Sequence, residues 1–186
     1  LSYELGFDHL AVKGFKDYIR DYPSSRSNAE AKSLLSGLLL KSNNYAEAYD
    51  LLSNEPNKDP NAWATFQKAA VGRGLQLLQD KDYEGAETYL TASLQNPVNP
   101  SLEAVAYFWK GEIAYKEDRY NDAVSDTRTF LAKAKGYEEA IKKVSAKATV
   151  QNANINLGYA SMKASNYADA ATAFSNAQST SGENKE

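Results

Sequence analysis

The 186-residue chain contains no cysteine, one histidine and one methionine. Without cysteine there are no disulfides, no thiolate catalysis and no thiolate metal sites. With His9 as the sole histidine a histidine metal cluster is excluded, and His9 reads as an ordinary surface or turn residue. Long apolar runs are also missing. The longest, LLSGLLL at residues 34–40, stops at seven, whereas a membrane helix needs about 20, so it reads as a core segment. A surplus of basic charge is missing: the net charge is −3 and the pI near 5.3, which argues against a nucleic-acid partner. The densest basic stretch, Lys133 to Lys147, also carries Glu138 and Glu139 and reads as a solvated helix face. There is no phosphate-binding loop, and GRG at 72–74 lacks the third glycine of a dinucleotide fingerprint. Carboxylates are plentiful at 24, yet no pair stands in an apolar setting that would raise one pKa. The expectation is a protein that is not an enzyme, with no catalytic residues, no cofactor and no metal.

Hydrophobic residues make up 42% and charged residues 24%, the balance of a folded domain. Within them a pattern recurs. NNYAEAYDLL (43–52), KDYEGAETYL (81–90), DRYNDAVSDT (118–127) and SNYADAATAF (165–174) align on Tyr45, Tyr83, Tyr120 and Tyr167, at steps of 38, 37 and 47 residues. Nine residues before each tyrosine stands a small residue (Ser36, Gly74, Gly111, Gly158). Three after stands Ala48, Ala86, Ala123 or Ala170, and seven after Leu52, Leu90, Thr127 or Phe174. Periods of this size signal a solenoid. Each unit is expected to be two antiparallel helices joined at the polar dipeptide before the tyrosine. The small residues let the backbones approach, and the tyrosine is expected to plug the corner between the pair. Pro56 and Pro60, then Pro97 and Pro100, are expected to stop one helix and start the next. The segment 80–91 imitates a calcium loop, with Asp80, Asp82, Glu84 and Gly85 in place, but its twelfth position is Thr91 and the repeat assigns Tyr83 to Leu90 to a helix.

These columns resemble the tetratricopeptide repeat family, most closely in INLGYASMKASNYADAATAFSNA (155–177) and AYFWKGEIAYKEDRYNDAVSDTRTFL (106–131). The resemblance implies an all-α fold, a right-handed α-solenoid of antiparallel helix pairs forming a single domain over 1–186. Its expected parts are a partial unit at 1–25, units at about 28–56, 61–97, 101–135 and 137–178, and a polar tail at 179–186. The family steps by about 34 residues, so the 47-residue step departs from it. There Gly136 is expected to break the chain and Tyr137 to Lys163 to run as one long helix. FKDYIRDYPSS (15–25) is similar to helix ends of bacterial repeat proteins of the periplasm and outer membrane, which implies that setting, with the cytoplasm as the alternative. The chain opens at Leu1 without a methionine or a signal-peptide pattern, and is expected to be a mature or excised fragment of a longer repeat protein.

What the resemblance implies for function is a non-catalytic scaffold that binds a peptide or partner protein in its concave groove. The family's groove offsets select Glu30, Ser33, Leu34, Gly37, Leu40 and Lys41 in the first full unit, Lys68, Val71, Gly72, Leu75, Leu78 and Gln79 in the second, Val105, Phe108, Trp109, Glu112, Tyr115 and Lys116 in the third, and Asn152, Ile155, Asn156, Tyr159, Met162 and Lys163 in the fourth; the third and fourth, rich in aromatics, are the expected partner-binding groove. Each aromatic has a plain alternative role as core between stacked units. The two-carboxylate clamp of chaperone adaptors is absent, since its positions hold Ser33, Gly37, Phe108 and Glu112. A second expectation is carbohydrate binding, with Trp109, Tyr115 and Tyr159 stacking on sugar faces. Self-association through exposed end repeats is a third.

Overall fold

The computed structural model describes residues 8 to 182, with side chains to residue 179. Residues 1–7 of the expected partial unit and 183–186 of the expected tail lie outside this range. Ten helices follow one another without a strand among the described residues: α1 (Asp8–Asp21), α2 (Asn28–Lys41), α3 (Tyr45–Ser53), α4 (Pro60–Gln79), α5 (Tyr83–Ser93), α6 (Pro100–Lys116), α7 (Tyr120–Ala134), α8 (Glu138–Val144), α9 (Val150–Lys163) and α10 (Tyr167–Gly182). The pairs α2/α3, α4/α5, α6/α7 and α9/α10 pack as hairpins. Successive pairs stack on one another, and α1 lies against α2.

The four hairpin turns are copies of one another. In each, the residue two before the tyrosine sits in the left-handed region: Asn43 (φ 58°), Lys81 (φ 62°), Asp118 (φ 60°) and Ser165 (φ 62°). The next amide reaches back to a carbonyl of the first helix, from Asn44 to Leu39, Asp82 to Leu77, Arg119 to Ala114 and Asn166 to Ser161, at 2.8–2.9 Å. This is the six-to-one bond of a Schellman C-cap, which satisfies the carbonyls a helix end leaves bare. Pro60 and Pro100 open α4 and α6, where the missing N–H goes unneeded. The side chains of Asp59 and Asn99 cap these helices from the preceding position.

The spacing of small and large residues explains the hairpins. A Cβ on Gly74 would lie 2.9 Å from Leu90 Cγ, one on Gly111 2.7 Å from Thr127 Oγ1, and one on Gly158 2.4 Å from the Phe174 ring. The small residue nine before the tyrosine therefore receives the residue seven after it, within the same pair. Ala48, Ala86, Ala123 and Ala170 are buried at the same interface. The largest core cluster sits under units two and three, where Leu90, Val105, Ile113, Phe130 and Ile141 are fully buried.

Three expectations are corrected. The turn tyrosines do more than plug their own corners: Tyr120 packs edge-on to Tyr115 of its own pair, but Tyr45, Tyr83 and Tyr120 also reach the next unit, and Tyr167 in the last unit is largely exposed. Tyr45 lies over Gly72, where a Cβ would come 2.5 Å from the ring, and Lys116 Nζ stands 5.6 Å from the centre of Tyr83 and Lys163 Nζ 6.0 Å from that of Tyr120. Residues 137–163 are two helices, not one. Gly136 (φ 84°) breaks the chain as expected, but the extended Ser145 breaks it again, and the Thr149 side chain accepts from the Asn152 amide to start α9 afresh. Finally, α10 continues to Gly182, into the stretch expected as a polar tail.

Candidate functional site

The second chain break builds the site. A family-length unit would pass directly from α7 into the first helix of the next pair. Here the short α8 comes between them and packs on α6 by burying Ile141 against the core. The end of α8 and the connector that follows, together Val144 to Lys147, lie along the first-helix side of the stack. Trp109 on α6 donates from Nε1 to Ser145 Oγ (3.1 Å), which ties the connector to the third unit.

The result is a cleft of about 690 Å³ between α4, α6, the connector and the start of α9. Leu75 and Leu78 from α4, Tyr83 from the start of α5, Trp109 from α6 and Val144 from the end of α8 supply its apolar walls. Lys81, Lys116 and Lys147 stand around it with Glu112, and Asn152 and Asn156 face in from α9. Desolvation holds the Glu112 carboxyl above the ordinary glutamate value, opposed by the charges of Lys116 and Lys147 and by a hydrogen bond with Asn156. Lys81 owes its position to the left-handed turn, and Asn152 donates from Nδ2 to the Lys147 carbonyl (2.8 Å), which holds the connector's last residues in place.

The groove residues read from the sequence divide. Phe108, Trp109, Glu112, Lys116 and Asn156 line the cleft. Val105 is fully buried and Phe108 nearly so, edge-on to Phe130, so both are core side chains, and of the two only Phe108 reaches the cleft, as part of its floor. Tyr115, Ile155, Tyr159, Met162 and Lys163 fall outside the cleft, although Tyr159 and Met162 are about half exposed, 50% and 46%, on the last unit. Lys163 instead borders a smaller polar depression with Asp118, Arg119 and Ser165. Sequence reasoning missed Lys81 and Tyr83 as cleft residues, and also Val144, Ser145 and Lys147. The 47-residue step was the one visible signal of Val144, Ser145 and Lys147; nothing in the sequence marked Lys81 and Tyr83 beyond their place in the repeated turn.

The solved structure of MamA, a protein of tetratricopeptide repeats, matches over 98% of this chain and 94% of its own, with a TM-score of 0.55 and 14% identity. The fold is an all-α helical-repeat solenoid. No family model and no curated protein matches the sequence. Such identity speaks to architecture alone. Carbohydrate binding gains no support. Trp109 stands edge-on to Phe108, Tyr115 edge-on to Tyr120 and Tyr159 edge-on to Phe174, and only Trp109 of the three lines the cleft, so they do not form one stacking platform there. Among the described residues no helix is long and apolar enough to cross a membrane, and no group of three or more His, Asp or Glu side chains is placed to hold a metal ion.

Proposed function

We propose that the chain is a non-catalytic scaffold whose cleft between the second, third and fourth units holds a peptide segment of a partner protein. The observation that carries this reading is the cleft itself: apolar walls with an aromatic on each side, a polar rim, and a volume suited to a few side chains. Tyrosine and tryptophan recur at such sites because they contribute large rigid contact area at low entropic cost. The resemblance of residues 15–25 supports a setting at the outer membrane or in the periplasm.

The test uses Trp109 as its own reporter. Trp63, packed edge-on to Phe66 beneath Lys58, is removed by Trp63→Phe, leaving Trp109 alone. Peptides that enter the cleft are expected to shift Trp109 emission in a saturable way. Peptide binding that leaves Trp109 silent and is unaffected by changes at Glu112 or Lys116 would move the partner surface elsewhere.

A further inference from the structure

The chain is acidic, but the rim of its cleft is not. Three lysines and one glutamate line it, in a protein with 24 acidic and 21 basic residues. Some lysines elsewhere are paired, as Lys16 with Glu47, Lys32 with Glu55, Lys110 with Glu87 and Lys133 with Glu103, and others stand singly on the surface; what sets the cleft apart is three lysines gathered round one apolar hollow. Among the described residues, Lys81, Lys116 and Lys147 have no carboxylate oxygen within 4 Å. The one carboxylate that Lys116 and Lys147 both face, Glu112, is partly buried and also hydrogen-bonded by Asn156. Two positive charges are thus left over beside an apolar surface.

We infer that the cleft selects a partner segment that sets an aspartate or glutamate beside an apolar side chain, the carboxylate meeting Lys116 and Lys147 and the apolar group resting on Leu78, Tyr83 and Trp109. This rests on the scaffold reading and gives it a ligand chemistry. Lysine offers three donors that reorient freely, so the pair can follow a carboxylate on a mobile peptide. The apolar walls set the demand for a neighbouring hydrophobic residue, which a purely ionic partner lacks. Lys147 belongs to the inserted connector, so a solenoid of uniform repeats would lack half of the carboxylate site.

The experiment is selection of a displayed library of random twelve-residue peptides on the intact protein, repeated on Lys116→Glu/Lys147→Glu. Both lysines are solvent-exposed, so unchanged far-ultraviolet circular dichroism is expected for the double variant. Wild type is expected to enrich peptides with acidic and apolar residues adjacent. Their affinity should fall about tenfold in the double variant and weaken as salt is raised. Lys81→Glu is expected to act in the same direction. Enrichment of neutral or basic peptides that still shift Trp109 would overturn the acidic preference and leave the scaffold reading standing. No enrichment above background with wild type would overturn both.

Discussion

Replacing glycine by alanine inside a helix is ordinarily stabilising, by about 1 kcal/mol. Gly74 and Gly37 separate that effect from packing, since both lie inside first helices of a pair and differ in what a methyl would meet. At Gly37 nothing stands within 4 Å of the added Cβ. At Gly74 the methyl meets Leu90 Cγ at 2.9 Å, Leu90 Cδ2 at 3.0 Å and the Ala86 carbonyl oxygen at 3.3 Å. Leu90 is fully buried and the carbonyl belongs to a helix, so relief requires α4 and α5 to separate. Overpacking of this kind costs about 1–3 kcal/mol. Gly37→Ala should then gain about 1 kcal/mol, and Gly74→Ala should lose about 1 kcal/mol after its propensity gain is subtracted. For a chain of this size each step shifts Tm by about 2–4 °C, in opposite directions. Denaturant unfolding followed by circular dichroism, with calorimetry beside it, reads both. Leu90→Ala supplies the control: alone it should destabilise by about 2–5 kcal/mol, and combined with Gly74→Ala by less than the sum, because the two changes relieve each other. Equal stabilisation by both alanines, or strict additivity with Leu90→Ala, would refute the account of why small residues recur nine before each tyrosine.

Further consequences follow from single contacts. Gln67 is fully buried; its Nε2 donates to the Asn99 carbonyl, and its Oε1 accepts from the amides of Val98 and Asn99. Gln67→Ala strands those backbone groups and should cost about 2 kcal/mol or more in denaturant unfolding. Ser165→Gly places glycine at φ 62° and should raise stability by up to about 1 kcal/mol, read as Tm. For Glu112 the folded-state pKa lies above the ordinary value, so the folded chain holds a proton that the unfolded chain releases, and stability falls as pH rises from the ordinary glutamate range to the raised one. Glu112→Gln should flatten that part of the stability-versus-pH curve and stabilise the protein at neutral pH; an unchanged slope would remove the desolvation argument. Thr149→Ala should loosen the start of α9 by about 1 kcal/mol, seen as faster amide exchange at Asn152.

The helix pairs were legible because their constraint is local and repeated. Small residue, tyrosine, alanine and large residue occupy fixed offsets, and each offset corresponds to one contact, as Gly111 meets Thr127 and Gly158 meets Phe174. The direction of the tyrosines was not legible, because a residue at a hairpin corner can turn toward its own pair or the next. That choice is made between units, by Gly72 leaving room for Tyr45 and by lysines lying over Tyr83 and Tyr120. The groove offsets found Trp109, Glu112 and Lys116 but placed Val105 on the surface. Offsets describe an average repeat, whereas in this chain α8 buries Ile141 in the same cluster as Val105 and Phe108 and extends the core over that face.

The insertion is therefore where this chain departs from its own repeat and, on the proposed scaffold reading, where partner selection would arise. In a regular stack each unit offers the same first-helix surface, and a groove of that kind selects partners only by residue changes along it. A further helix laid on one unit alters the shape itself. It turns an open groove into a cleft with a fourth wall, brings Lys147 across from Lys116, and partly buries Glu112 between them. The core contact of Ile141 and the Trp109 to Ser145 hydrogen bond hold that wall independently of any ligand. A preformed wall reduces the ordering that binding would otherwise require, so peptide affinity should depend on the connector's rigidity as well as on its charges. Ser145→Ala removes the hydrogen bond and leaves every charge in place; slower association or weaker peptide binding in that variant, at unchanged salt dependence, would separate the role of shape from that of charge.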